Sequence, residues 1–161
     1  MNDVSNQTIL LVEDDANEVF LFQRAFRKAQ LTNPLCVARD GQEAIDFLNR
    51  RGDFSDRTGH PAPKLVLLDL KMPRKSGFEV LEWVRQQPAL KQLIVVVLTS
   101  SDLEADINRA YDLGTNSYLV KPGTFEALIQ LVKTVTAYWF ALNHNPDSDA
   151  AFDPPPYTVS A

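Results

Sequence analysis

Residues 65–73, Leu-Val-Leu-Leu-Asp-Leu-Lys-Met-Pro, constrain this chain more than any other segment. Four consecutive apolar residues run into a carboxylate at Asp69, and Met72-Pro73 breaks the chain just beyond. An unbroken apolar run of this length, followed by a turn signal, predicts a strand buried on both faces. Such strands belong to parallel sheets, which bind ligands at the carboxyl ends of their strands. Asp69 stands at that edge.

The same pattern recurs along the chain. Residues 8–12, Thr-Ile-Leu-Leu-Val, end in Glu13, Asp14 and Asp15. A helix is expected from Asn17, capped by Asp15 or Asn17, with Phe22, Ala25, Phe26 and Ala29 as its apolar stripe. A short strand over 35–38 leads through Asp40-Gly41 to a helix over 42–50, with Ala44, Ile45 and Leu48 inward. Residues 51–64 are rich in Gly, Pro and charge and predict a long surface loop. After Asp69, a helix over 78–87 presents Val80, Leu81 and Val84. Residues 93–98 form the most apolar strand and end at Thr99. Ser101-Asp102-Leu103-Glu104 has the spacing of a capping box, for a helix with Leu103, Ile107 and Ala110 inward and Gly114 at its end.

A fifth strand over 117–120 runs into Lys121-Pro122. The last helix, 124–142, carries Phe125, Leu128, Ile129, Val132, Val135 and Trp139 on one stripe, and Leu131, Tyr138 and Leu142 widen it beyond what one sheet needs. Five strand–helix units without an internal repeat predict an α/β fold, a doubly wound parallel sheet with helices on both faces. Residues 1–7 read as an N-terminal tail, 8–142 as one domain and 143–161 as a Pro-rich tail whose prolines at 154–156 favour an extended polyproline segment.

With 161 residues, one domain is expected. The net charge of -5 argues against direct nucleic-acid binding. A single cysteine, Cys36, excludes an internal disulfide and makes a reducing cytoplasm the default; it reads as a small core residue. The N-terminal residues lack the features of a signal peptide, and no apolar run approaches the length of a membrane span. His60 and His144 have no metal-ligand spacing.

The chemistry gathers at the strand ends. If strands one and three are neighbours, as in the doubly wound order 2-1-3-4-5, Glu13 and Asp14 lie beside Asp69. Carboxylates so close repel one another unless a cation is present, and Mg²⁺ is the hard, oxygen-preferring choice. Asp69 is then placed as a carboxylate nucleophile toward a phosphoryl group. Lys121 offers a point positive charge to the same phosphoryl oxygens, and Thr99 offers a hydroxyl. Asp15 reads as a solvated helix-end charge.

Leu-Val-Glu13-Asp14, Leu-Leu-Asp69-Leu-Lys-Met-Pro with Gly77 beyond it, Leu-Thr99-Ser100 and Tyr118-Leu-Val-Lys121-Pro122 together resemble the receiver domain of two-component response regulators, over residues 8–142. That resemblance implies Asp69 as phosphoacceptor and Glu13, Asp14, Asp69 and the backbone carbonyl of Lys71 as Mg²⁺ ligands. It implies Thr99 as switch hydroxyl, Tyr118 as aromatic switch, Lys121 as the phosphoryl-binding lysine, and a cis Lys121–Pro122 bond. It also implies a phosphorylation-driven switch of the face formed by helix four, strand five and helix five, rather than a turnover enzyme. Glu13 departs from the more common Asp. The loop at 51–64, the segment 111–118, Lys121-Pro-Gly-Thr-Phe125 and Tyr138-Trp139-Phe140 are similar to the small stand-alone regulators of cyanobacterial phytochromes. This narrower likeness implies a phytochrome histidine kinase as phosphodonor, docking on the first helix near Phe20, and a homodimer. Two other readings stay open: an unphosphorylated scaffold acting by protein–protein binding, and a phosphatase or flavin protein on the same fold. The second lacks both an Asp-x-Asp pair after strand one and a phosphate-cradling glycine loop.

Overall fold

A computed structural model describes residues 4–56 and 59–146. Residues 4–7 of the expected N-terminal tail are described and hold a short 3-10 turn, Val4–Asn6; the C-terminal tail lies largely outside the described residues, and the expected polyproline segment at 154–156 wholly outside them. The strands are β1 (Thr8–Val12), β2 (Leu35–Ala38), β3 (Pro63–Leu68), β4 (Ile94–Thr99) and β5 (Ser117–Val120). The helices are α1 (Ala16–Lys28), α2 (Gly41–Leu48), α3 (Gly77–Gln86), α4 (Glu104–Asp112) and α5 (Phe125–Thr136). All strands run parallel in the order β2-β1-β3-β4-β5, as the sequence predicts.

Alternation along the strands divides the core into two layers. Leu10, Val12, Val66, Leu68 and Val95 pack against Ala44, Ile45 and Leu48 of α2 and Val80, Leu81 and Val84 of α3. Ile9, Leu11, Leu65, Leu67, Val96 and Leu98 face Phe22, Ala25 and Phe26 of α1 and Val132 and Val135 of α5. The apolar runs do not alternate in polarity because both sheet faces are covered.

Register carries the site. Val12 pairs with Leu68, so the residues that follow, Glu13 and Asp69, leave the sheet side by side. The Asp69 N–H still donates to the Val12 carbonyl at 3.1 Å. Thr99 pairs with Val120, and the Lys121 N–H donates to the Thr99 carbonyl at 2.8 Å. Gly77 begins α3 directly over Asp69. A Cβ there would lie 2.1 Å from the Asp69 carbonyl oxygen, so only glycine permits this approach.

Four local expectations need correction. The Ser101–Glu104 capping box does not form. The Ser101 hydroxyl donates to Asp106 at 2.6 Å, and α4 starts at Glu104 with no side-chain cap at Leu103. Leu103 is 58% exposed rather than inward. The capping box belongs instead to Ser76 and Glu79 at the start of α3. The last helix is not uniform: α5 passes into a π-helical stretch, Ala137–Leu142. No cis peptide occurs among the described residues, so Lys121–Pro122 is trans. Trans is favoured by about 0.5–1 kcal/mol even before proline, and with this geometry the Lys121 ammonium already reaches its partners.

The loop at 51–64 is less open than its composition suggests. Phe54 packs on Phe47 of α2 with the rings tilted at 52° and their centroids 5.2 Å apart, and His60 meets both rings edge-on. His60 therefore has a packing role. Cys36 is half-buried on β2 against the α2–α3 side of the core.

Candidate phosphoryl-transfer site

Glu13 and Asp69 follow β1 and the central strand β3 and are buried, at 4% and 7% exposure, whereas Asp14 is exposed. Glu13, Asp14 and Asp69 each offer an oxygen within 4.8 Å of the others. The two Asp69 oxygens are held differently. Oδ1 accepts from the Leu70 N–H at 2.7 Å, and Oδ2 accepts from Lys121 Nζ at 3.1 Å. Lys121 Nζ also donates to Glu13 Oε2 at 2.7 Å and to the carboxylate of Glu18. One ammonium thus serves three carboxylates.

That ratio shapes the electrostatics. Burial pushes the Glu13 carboxyl up to about 8, although hydrogen bonds from Lys121 and from the Asp15 N–H pull the other way. Burial alone would lower Lys121. Its hydrogen bonds to Glu13 and Glu18 and the charge of Asp69 overcome that and raise it, so it stays charged. Ionising Glu13 beside Asp69 calls for more positive charge than Lys121 supplies. The donor set is all hard oxygen and its three acids converge within 4.8 Å, which suits a divalent metal ion.

Thr99 is buried at the end of β4, where its hydroxyl accepts from the Ser101 N–H at a long 3.5 Å. Tyr118, half-buried on β5, packs with Leu70, Phe78, Val97 and Ala110 and donates its hydroxyl to the Ser101 carbonyl at 2.8 Å. Burial, above all, raises its phenol. Thr99 and Tyr118 therefore meet through the backbone of Ser101. Lys71 lies in the turn between β3 and α3 with its side chain exposed. Glu18 escaped the sequence reading. Asp15 caps α1, accepting from the N–H groups of Asn17 and Glu18, and this sets Glu18 in the first turn, within reach of Lys121. The cap was a usable signal, because it fixes which acids face the strand ends.

Residues 9–133 match the response regulator receiver domain. The chain belongs to that family. Among curated relatives, this receiver is 39% identical over 138 residues to the probable methanogenesis regulatory protein FilR2 of Methanothrix harundinacea, covering 86% of each chain. It is 38% identical over 141 residues to the response regulator Rcp1 of Synechocystis sp., covering 86% of this chain and 94% of Rcp1. The crystal structure of the phosphorylated cyanobacterial phytochrome response regulator RcpA superposes with a TM-score of 0.80 at 35% identity, over 88% of this receiver and 99% of RcpA. Rcp1 has also been crystallised in a Mn²⁺-bound form, with a TM-score of 0.77 at 36% identity, over 87% of this receiver and 99% of Rcp1. The chain is a response-regulator receiver similar to phytochrome response regulators, with an acidic cluster suited to a divalent metal and, by family, a histidine kinase as partner. No described helix is long and apolar enough to cross a membrane.

Proposed function

We propose that Asp69 is the phosphoacceptor of this receiver, with Mg²⁺ held by Glu13, Asp14, Asp69 and the Lys71 carbonyl. The observation that carries this reading is the asymmetric hold on Asp69, with Oδ1 on the Leu70 N–H and Oδ2 on Lys121 beside two further acids. A carboxylate oxygen of Asp69 attacks phosphorus. The bond from phosphorus to the donor's nitrogen or oxygen breaks, and the leaving group keeps the electron pair. Lys121 follows the phosphoryl oxygens and neutralises part of their charge. Bound Mg²⁺ supplies charge neutralisation and orients the incoming group. Water later attacks phosphorus, Asp69 leaves as carboxylate and inorganic phosphate departs, which resets the switch.

The switch uses Thr99 and Tyr118. Drawing the Thr99 hydroxyl toward a phosphoryl on Asp69 removes the weak acceptor of the Ser101 N–H. Ser101 also anchors the Tyr118 hydroxyl, so the loop and the α4–β5–α5 face shift together. The likeness to RcpA, a cyanobacterial phytochrome response regulator, supports a phytochrome histidine kinase as donor, and the single cysteine supports action in the reducing cytoplasm. Tyr138 and Leu142, the latter 70% exposed, support a homodimer through the π-helical stretch after α5.

Incubation with Mg²⁺ and acetyl phosphate is expected to label wild type and leave Asp69→Asn unlabelled; label on the variant, or none on wild type, refutes the assignment. A phosphotransfer profile is expected to show fastest transfer from a phytochrome kinase. Sedimentation with and without beryllofluoride tests the dimer, and a monomer in both removes it alone.

A further inference from the structure

We propose that Glu18 is a positioning residue for phosphoryl transfer, a standing counter-ion that competes with the phosphoryl group for the Lys121 ammonium. This rests on the phosphoacceptor reading above.

Glu18 differs from the other two carboxylates on Lys121. Glu13 and Asp69 belong to the trio whose oxygens converge, and Glu18 does not. It comes from the first turn of α1 rather than from a strand end, and its side chain is 40% exposed against 5% for Glu13 and 9% for Asp69. The N-terminal end of α1 favours its negative charge. Glu18 and Lys121 also line a cavity of about 100 Å³ with apolar walls from Leu11, Phe22, Leu98 and Leu128. Apolar walls on one side weaken screening, so this pair couples more strongly than a surface pair does.

The consequence follows from charge arithmetic. Once Glu13 and Asp69 are engaged by a cation and a phosphoryl group, Glu18 is the remaining carboxylate on Lys121. It keeps the ammonium at the strand ends, and it subtracts from the positive potential that a phosphoryl group meets there. Removing its charge while keeping its shape is expected to tighten binding of a phosphoryl-like anion by about 3- to 10-fold, the effect of one unit charge several ångströms away at intermediate dielectric.

The test titrates beryllofluoride at saturating Mg²⁺ into wild type, Glu18→Gln and Glu18→Asp, followed by amide NMR shifts. Glu18→Gln is expected to bind 3- to 10-fold more tightly. Glu18→Asp keeps the charge and is expected to stay within about twofold of wild type. Mg²⁺ affinity is expected to be equal or weaker in Glu18→Gln, since removing a negative charge cannot strengthen cation binding, and the acetyl phosphate concentration that gives half-maximal labelling rate is expected to fall with the maximal rate unchanged. Equal or weaker beryllofluoride binding by a folded Glu18→Gln overturns the proposal, as does a matching change in Glu18→Asp. If wild type itself binds no beryllofluoride, the phosphoacceptor reading fails and this inference fails with it.

Discussion

Two edges of the same sheet each hold one partly buried cation, and they use it in opposite ways. At the carboxyl edge, Lys121 faces the carboxylates of Glu13, Glu18 and Asp69. At the amino edge, Arg85 faces only neutral oxygens. It donates to the carbonyls of Gly114 at 2.9 Å, Leu93 at 2.8 Å and Lys91 at 3.0 Å, and to Asn116 Oδ1 at 2.9 Å. Asn116 Oδ1 also accepts from the Val95 N–H, and the Thr115 hydroxyl joins the Val95 and Ser117 carbonyls. Burial alone lowers the Arg85 guanidinium. A cation among carbonyls ties down α3, α4 and the starts of two strands, whereas a cation among surplus carboxylates leaves negative charge that further positive charge can satisfy. The amino edge is built to stay and the carboxyl edge to change partners.

The largest expected effect breaks the carboxyl edge alone. Asp69→Asn is expected to abolish phosphoryl labelling while leaving the melting temperature unchanged or raised, because it removes one acid from a repelling trio. A large drop in melting temperature instead makes the acidic cluster a structural feature like the Arg85 cage.

Next comes Gly77→Ala. The added Cβ would meet the Asp69 and Leu70 backbone, which cannot swing aside as a side chain can. It is expected to cost about 1–3 kcal/mol and, by displacing Asp69, to slow labelling by roughly tenfold or more. Labelling kinetics compared with a urea melt separate the two parts. The expected loss of stability with unchanged labelling per folded molecule shows that the turn moves without Asp69.

The amino edge predicts the reverse pattern. Arg85→Ala strands several carbonyls and is expected to cost about 3 kcal/mol, or roughly 6–12 °C of melting temperature, with labelling per folded molecule unchanged. Arg85→Lys is expected to recover little, since an ammonium cannot span the same acceptors. If Arg85→Ala alters labelling of the folded protein, the two edges are coupled and the contrast drawn above is wrong.

The two edges were unequally legible in the sequence. Asp69, Glu13, Asp14, Thr99 and Lys121 each follow an apolar run, so pattern and chemistry coincide. The structure brings Glu13, Asp14, Asp69 and Lys121 together, and Thr99 ends the neighbouring strand. Arg85 sits in a helix beside Gln86 and Gln87, where nothing local separates a cage-forming arginine from a solvated one. Its acceptors, from Lys91 to Asn116, become neighbours only through the fold. Glu18 was missed for the same reason, since its partner is 103 positions away. The capping boxes show the limit of local rules. Ser101-x-x-Glu104 has the right spacing, but Asp106 takes its hydroxyl and Tyr118 its carbonyl. Ser76-x-x-Glu79 has the same spacing and no such competitors.

The smallest effect concerns an ion pair unlike either edge. Asp40 caps α2 through the Glu43 N–H at 2.8 Å and accepts two hydrogen bonds from Arg74, at 2.8 and 3.1 Å, on the exposed turn after β3. Burial nudges the Asp40 carboxyl up, but Arg74 and the backbone N–H groups outweigh it and hold it below the ordinary carboxylate range. A carboxyl lowered on folding adds stability above its unfolded value, and that stability is lost as pH falls through the folded value. Asn at position 40 would keep a cap but lose the charge. Wild type is therefore expected to exceed Asp40→Asn slightly at pH 6–7, with the gap closing below about pH 4 and shrinking in molar salt. Paired melts across pH check this. A gap that persists at pH 3 assigns the effect to cap geometry. A gap that ignores salt places this pair with the sheltered Lys121 cluster rather than with solvent-screened charges.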